Sequence, residues 1–259
     1  MNELPFVELC AGSAAIMLQL NGQTPPVSYA GNKRGYANTI IETFGITNNK
    51  KRKYVLVEPG YWGTTWEVLN DSEKKHKVAE RIETLSLEEP KIIWSNAKKD
   101  MKAGDSDIIR CAAHLLTVAG THGGFEKGGF KGKHKRRPNV DGFIPNRNSI
   151  AERIKKLQLP EELVVYHQNA QDTVPFKSYC YIDPPYMNTI GYEYTLTRND
   201  VVDLGKKWAK IGAFVMISEG EPITELVKCG WSVKDITKER EGQFRKNSVS
   251  KNEWITFNF

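Results

Sequence analysis

"KSYCYIDPPYMN", residues 177–188, decides how the chain is read. Its first half reads as the end of a buried strand. Asp183 then meets two consecutive prolines, Pro184 and Pro185, and an aromatic ring, Tyr186. Prolines remove backbone donors and fix φ, so the chain must leave the sheet at this point. Less restrictive residues would make an ordinary turn. A carboxylate, a carbonyl and a ring held rigidly at a strand end are suited to gripping something flat and polar.

Working outward, "VELCAGSAA" (7–15) is a second hydrophobic strand that runs into small residues and then a helix over 12–22, closed by Gly22. In open α/β sheets, ligands bind beyond the carboxyl ends of the strands. Ala11, Gly12, Ser13 and Ala14 allow a ligand close to the backbone, and the helix N-terminus offers N–H groups. A tight strand-to-helix turn with no ligand is the alternative. Pro25-Pro26 breaks the chain, and a second helix is expected over 36–44. "KRKYVLVEPGYW" (51–62) is a strand with a polar end at Glu58, where a carboxylate could bond ribose hydroxyls or simply meet solvent. Helices are expected over 66–86 and 105–118, and a strand in "VVYHQNAQD" (164–172). Asp172 could accept from an adenine amino group or cap a turn. "TRNDVVDLGKKWAKIG" (197–212) reads as an amphipathic helix capped at Asn199 or Asp200. "AFVMISEG" (213–220) is a buried strand, and the tail holds two strands joined by a long loop. Strands alternating with helices predict an α/β fold, with a mainly parallel sheet, helices on both faces and an antiparallel C-terminal edge.

Residues 119–149 break this pattern. They carry seven Lys/Arg against two Asp/Glu, and three Phe among many glycines, with little helix or strand periodicity. Basic residues interleaved with aromatics suit a phosphate backbone and unstacked bases, while a solvated loop is the plainer alternative.

Bulk properties narrow the class. A chain of 259 residues, 39% hydrophobic and 26% charged, suits one large α/β domain or one with a sizeable insertion. No apolar run reaches the roughly 18 residues of a membrane span. The N-terminus lacks a basic leader region, so we expect no signal peptide. The cysteines Cys10, Cys111, Cys180 and Cys229 form no CxxC, which argues against zinc or a disulfide framework and for a reducing compartment. A net charge of +6 is by itself weak support for a nucleic-acid partner.

"VELCAGSAAI" (7–16) followed by "YIDPPY" (181–186) resembles the amino-methyltransferases that use S-adenosylmethionine, and more narrowly the Dam-like DNA adenine-N6 methyltransferases of bacteria and phages. "YAGNK" (29–33) is similar to that family's aromatic-Ala-Gly-Gly-Lys motif. The tail, "VMISEGE" (215–221) with "FRKNSVSKNEWITFN" (244–258), resembles its closing strand, basic loop and final strand. The match covers most of the chain. Two features depart from the family pattern: "YAGNK" follows the glycine turn instead of preceding it, and Ala14 stands where the family prefers glycine.

The resemblance implies a Rossmann-like methyltransferase domain over 1–70 and 150–259, with a helical and basic target-recognition region over 71–149. It implies catalysis by Asp183, Pro184, Pro185 and Tyr186, with the carboxylate and the Pro184 carbonyl accepting from the adenine amine. Cofactor contacts are expected from Glu8, Ala11, Gly12, Tyr29, Lys33, Glu58, Asp172 and Asp183, and Glu8 could instead pair with Lys33. Contacts to double-stranded DNA are expected from Lys127, Lys131, Lys133, Lys135, Arg136, Arg137, Arg147, Arg245, Lys246 and Asn247. The implied cofactor is S-adenosylmethionine, leaving as S-adenosylhomocysteine, with no metal and no membrane. The expected setting is the cytoplasm of a bacterial or phage-infected cell. A restriction endonuclease as genetic partner and the oligomeric state are left open. Cytosine-N4 or RNA adenine methylation, and a binding protein that has lost catalysis, are the alternatives.

Overall fold

The computed structural model describes residues 4–29, 31–48, 51–85, 88–132, 142–143, 145–186, 194–240 and 252–259. The chain forms two compact units, one of residues 1–22, 33–59 and 160–259, the other of residues 23–32 and 60–159.

The first unit is built on a seven-stranded sheet. Its strands are β1 (Phe6–Leu9), β2 (Tyr54–Val57), β3 (Leu163–Tyr166), β4 (Tyr179–Ile182), β5 (Phe214–Glu219), β6 (Ser232–Asp235) and β7 (Trp254–Phe257). The order is β3-β2-β1-β4-β5-β7-β6. The first five strands are parallel, and β7 runs antiparallel to both β5 and β6. This is the Rossmann-like arrangement and antiparallel edge expected from the alternation of strands and helices.

Burial on both faces explains why the strands read as apolar runs rather than alternating ones. On one face, Val7, Val57, Ile182 and Ile217 pack with Val201, Leu204 and Trp208 of α8 (Arg198–Lys210). On the other, Phe44 of α2 (Ala37–Phe44) meets Phe6 and Tyr179 edge-on at 6.1 and 5.9 Å. The register aligns Leu9 with Val57 and Ile182, so the carboxyl ends of the central strands form one row. Chain direction across the sheet reverses between β1 and β4. From β1 the chain moves outward to β2 and β3, then returns to β4 and β5.

The cap of α8 is Thr197, not Asn199 or Asp200. Its hydroxyl accepts the Asp200 N–H while the Asp200 carboxylate accepts the Thr197 N–H, a reciprocal capping box.

The second unit is helical: α3 (Tyr61–Asn70), α4 (Ser72–Thr84), α5 (Pro90–Ala103), α6 (Asp107–Gly120) and α7 (Arg147–Lys156). The segment 71–149 lies wholly within it, and the unit also takes in 23–32, α3 and α7. Two of these helices lie outside the sequence expectation. The start of α5 is marked by Glu89, which accepts the Ile92 N–H, and by Pro90 at the first helical position. Asn146 opens α7 by accepting the Ser149 N–H.

Part of the basic stretch is also folded. Thr121 and Phe130 form an isolated antiparallel bridge. Trp94 closes it, donating Nε1–H to Thr121 Oγ1 at 3.0 Å and packing on Phe130. A Cβ on Gly128 would stand 2.3 Å from the Thr121 methyl, so only glycine fits this turn. Gly128 is thus a condition of close packing, whereas a Cβ on Gly129 would meet open space.

Candidate active site

β1 ends in a turn where Cys10, Gly12 and Ala14 all have left-handed φ, at 56°, 46° and 49°. For the two non-glycine residues this conformation costs roughly 1–2 kcal/mol each. Two carboxylates hold the turn. Glu58, at the end of β2, accepts the Gly12 N–H at 2.9 Å. Glu8 accepts the Met17 N–H at 2.9 Å, inside the first turn of α1 (Ala15–Leu20), whose N-cap Ala14 has no side chain able to do so. Glu8 is 2% exposed, and burial pushes its carboxyl up to about 8 against the downward pull of the Met17 N–H. It is thus a helix anchor, and it does not pair with Lys33 as the sequence allowed.

β4 ends differently. The Asp183 N–H donates to Leu9 O at 3.2 Å, fastening the ends of β4 and β1 together. Beyond it the prolines offer no donor and the ladder stops. Lys33 Nζ lies 2.8 Å from Asp183 Oδ1, 3.9 Å from Glu253 Oε1 and 4.5 Å from the centre of the Tyr186 ring. The Tyr186 hydroxyl donates to Glu253 Oε1. Beneath them the Tyr181 hydroxyl bonds Ser218 Oγ at 2.7 Å in the core.

Lys33 and Glu253 are both buried, so solvent screens these charges little. Burial raises the Asp183 carboxyl, and the Lys33 ammonium holds it down. Burial likewise lifts Glu253 to about 7, opposed by Lys33 and the Tyr186 hydroxyl and reinforced by Asp183 and Glu219. The Tyr186 phenol is pushed well up by burial, and then by Asp183 and Glu253. Removing one partner of such a buried pair typically costs about 3–5 kcal/mol.

The structure therefore brings together Glu8, Ala11, Gly12, Lys33, Glu58, Asp183, Pro184, Pro185 and Tyr186 in the first unit, around the row of strand ends. Tyr29 belongs to the second unit, where its ring packs edge-on against Trp62 at 5.4 Å. Asp172 ends a short 3-10 turn (Ala170–Asp172) and accepts from Asn169 Nδ2 at 3.2 Å, which is the turn-cap alternative. Among the described residues, no group of three His, Cys, Asp or Glu is placed to hold a metal, and no helix is long and apolar enough to cross a membrane.

Of the basic residues, Lys127 is exposed and Lys131 half-buried, with burial lowering the pKa of the Lys131 ammonium. Arg147 is a correction. It is 7% exposed at the start of α7, its guanidinium donates to Leu85 O at 2.8 Å, and it lies over the Phe143 ring. That guanidinium is committed to packing the helical unit rather than turned to a phosphate. Lys133, Lys135, Arg136, Arg137, Arg245, Lys246 and Asn247 lie outside the described residues.

Sequence reasoning missed Glu253. The stretch that holds it was legible as a final strand, but a single acid before a strand reads as a solvated end. Only pairing between distant segments shows it buried beside Tyr186.

No family model matches the chain, and no curated protein is significantly similar to it.

Proposed function

We propose that the protein is an S-adenosylmethionine-dependent methyltransferase acting on the N6 amino group of adenine in DNA. One observation carries the reading. Asp183-Pro184-Pro185-Tyr186 stands at the carboxyl end of β4, bonded through the Asp183 N–H to the end of β1, where strand order reverses. That reversal is where open α/β sheets take their ligands.

The β1 turn suits a nucleoside cofactor. Its small residues leave the backbone approachable, and Glu58 beside Gly12 is half-buried at the neighbouring strand end, suited to ribose hydroxyls. When bound, the cofactor supplies a methyl group already activated on a sulfonium.

The chain's own task is to make a poor nucleophile attack in line. The lone pair of adenine N6 is delocalised into the ring. Acceptors placed at the amine protons favour a pyramidal nitrogen and stabilise the positive charge that develops on it. Asp183 is one acceptor and the Pro184 carbonyl the second, its direction fixed by the proline rings. The Tyr186 ring provides a flat surface, oriented by its hydroxyl bond to Glu253. A base inside a duplex is out of reach of these groups, so the reading requires it to flip out. Lys127 and the basic residues around it are the proposed contacts to phosphate.

The test is a methyl-transfer assay with labelled S-adenosylmethionine and unmethylated genomic DNA, with RNA in parallel, read by nucleoside mass spectrometry. N6-methyldeoxyadenosine is the expected product. N4-methyldeoxycytidine, or methylated RNA, would keep the chemistry and replace the substrate. Absence of both methylated product and cofactor binding would overturn the reading.

A further inference from the structure

The two oxygens of the Asp183 carboxylate meet different surroundings. Oδ1 is buried and lies 2.8 Å from Lys33 Nζ, yet the ammonium meets it as a charge and not along a hydrogen-bond direction, so Oδ1 has no hydrogen-bond partner among the described residues. The side chain as a whole keeps 19% of its exposure. None of that is at Oδ1, so Oδ2 is the carboxylate oxygen a substrate can reach. One oxygen faces a fixed charge, and the other stays open to a donor.

Both charges are anchored through their backbones. The Asp183 N–H donates to Leu9 O at 3.2 Å, and the Lys33 carbonyl accepts the Tyr36 N–H at 2.8 Å, at the entry to α2. The Lys33 side chain is 6% exposed, and its ammonium lies 4.5 Å from the centre of the Tyr186 ring. Solvent therefore screens the pair little.

The charge on Asp183 decides what it can do. A carboxylate only accepts, whereas a carboxylic acid also donates. An adenine amine brings protons, so the acceptor role requires the ionised form. Most of the surroundings oppose it. The groups facing Asp183 are Glu8 and Cys10 from β1 and its turn, Tyr181 and Tyr186 from β4 and its end, Glu253 before β7, and Lys33 before α2. Burial raises the carboxyl, and ionised Glu8 or Glu253 adds like charge. Lys33 is the group that favours the carboxylate.

Resting on the methyltransferase reading, we propose that Lys33 is a positioning residue of this site: it holds Asp183 as a carboxylate from the Oδ1 side and leaves Oδ2 to accept from the substrate amine. This assigns Lys33 to the acceptor, whereas the motif resemblance implied a cofactor contact. The ammonium stays where it is throughout, and the amine approaches from the opposite side of the carboxylate.

The sign of the pH dependence follows. Activity rises with pH as Asp183 ionises, and removing the cation moves that rise to higher pH. The experiment measures kcat, and KM for both DNA and S-adenosylmethionine, from pH 5 to 9.5. It uses the wild type, Lys33→Met, Lys33→Gln, Lys33→Arg and Glu253→Gln, with circular dichroism as a check on folding. In Lys33→Met and Lys33→Gln the acid limb of kcat should move up by about one to three pH units, so that the deficit is at least about tenfold at low pH and shrinks as pH rises. Lys33→Arg keeps the charge and should hold the limb close to its wild-type position. A deficit that is the same at every pH would mean that Lys33 only packs. A raised KM for S-adenosylmethionine with the limb unmoved would make Lys33 a cofactor contact. Either result overturns the proposal. Glu253, raised to about 7, is the other carboxyl that titrates beside Lys33. Glu253→Gln should therefore keep the acid limb, and its disappearance would give the limb to Glu253 and overturn the assignment.

A second readout needs no turnover. Carboxyl-carbon NMR of aspartate-labelled protein, with the Asp183 signal identified by its absence in Asp183→Asn, should show a higher titration midpoint in Lys33→Gln than in the wild type. Equal midpoints overturn the proposal. A wild type that methylates DNA while the Lys33 variants keep its pH profile sinks this role alone. A wild type that yields no methylated base sinks the methyltransferase reading, and this role with it.

Discussion

The carboxyl ends of β1 and β4 lie side by side and are built in opposite ways. At β1 the chain turns through left-handed residues, and the acids that hold it, Glu8 and Glu58, are met by backbone N–H groups. At β4 the chain is stopped by prolines, and the acid, Asp183, is met by the side chain of a distant lysine. A backbone donor cannot leave without unwinding its element, whereas a lysine ammonium can shift by an ångström. The first end is a fixed cradle, and the second is held by an ion pair between distant side chains.

The comparison breaks most readily at Asp183. Asp183→Ala should lower kcat by at least about 10³-fold, since it removes an acceptor aimed at developing charge. Affinity for S-adenosylmethionine, which the proposed function assigns to the β1 end, should stay within a few-fold when measured by calorimetry. Asp183→Asn is the companion variant. It retains the side-chain shape but presents donors as well as an acceptor, and should lose nearly as much activity. If either variant keeps more than a tenth of wild-type turnover, Asp183 is not the acceptor and the division between the two ends fails.

What the sequence disclosed follows the same division. Features written in consecutive residues were legible: the apolar runs of β2, β4 and β5, the small residues after β1, and the prolines after Asp183. Features made by distant residues were not. Lys33 and Asp183 are 150 positions apart (183 − 33), and nothing local to either one indicates the other. Glu253 joins them from a third segment. Helix α5 was hidden for another reason: it has lysines on its exposed side and only a narrow apolar stripe of Ile93, Ala97 and Met101. Arg147 looked like part of a basic run, yet a charge run says nothing about which members turn inward to meet helix carbonyls.

Glu8 offers a sharper test of the fixed end, through stability rather than activity. Its carboxyl is raised to about 8 in the folded chain, against about 4.3 for an exposed glutamate. Between those values the folded state binds more protons than the unfolded state. The stabilisation from Glu8 is therefore complete at low pH and lost as pH rises through about 8. Glu8→Gln keeps an acceptor for the Met17 N–H and removes the titration. The variant should melt close to the wild type at pH 5 and be more stable at pH 8.5, by roughly 1–3 kcal/mol. Denaturant titrations at the two pH values read this directly. Equal destabilisation at both would mean that Glu8 is held ionised, and that the cradle depends on its charge as well as its geometry.

The smallest effect is expected at Ala14, and it arises from cancellation. The residue is fully buried with φ 49°, a conformation glycine adopts without strain. Ala14→Gly should recover roughly 1–2 kcal/mol of that strain. Against this, it loses a buried methyl worth about 0.8 kcal/mol and adds about 0.5–1 kcal/mol of unfolded-state entropy. The terms nearly balance, so urea denaturation should place the variant within about 1 kcal/mol of the wild type. Stabilisation well beyond that would mean that strain is stored at the β1 turn and that the cradle is held against its own preference. Clear destabilisation would mean instead that the Ala14 methyl packs where the turn needs it, and that a glycine here would loosen the fixed end.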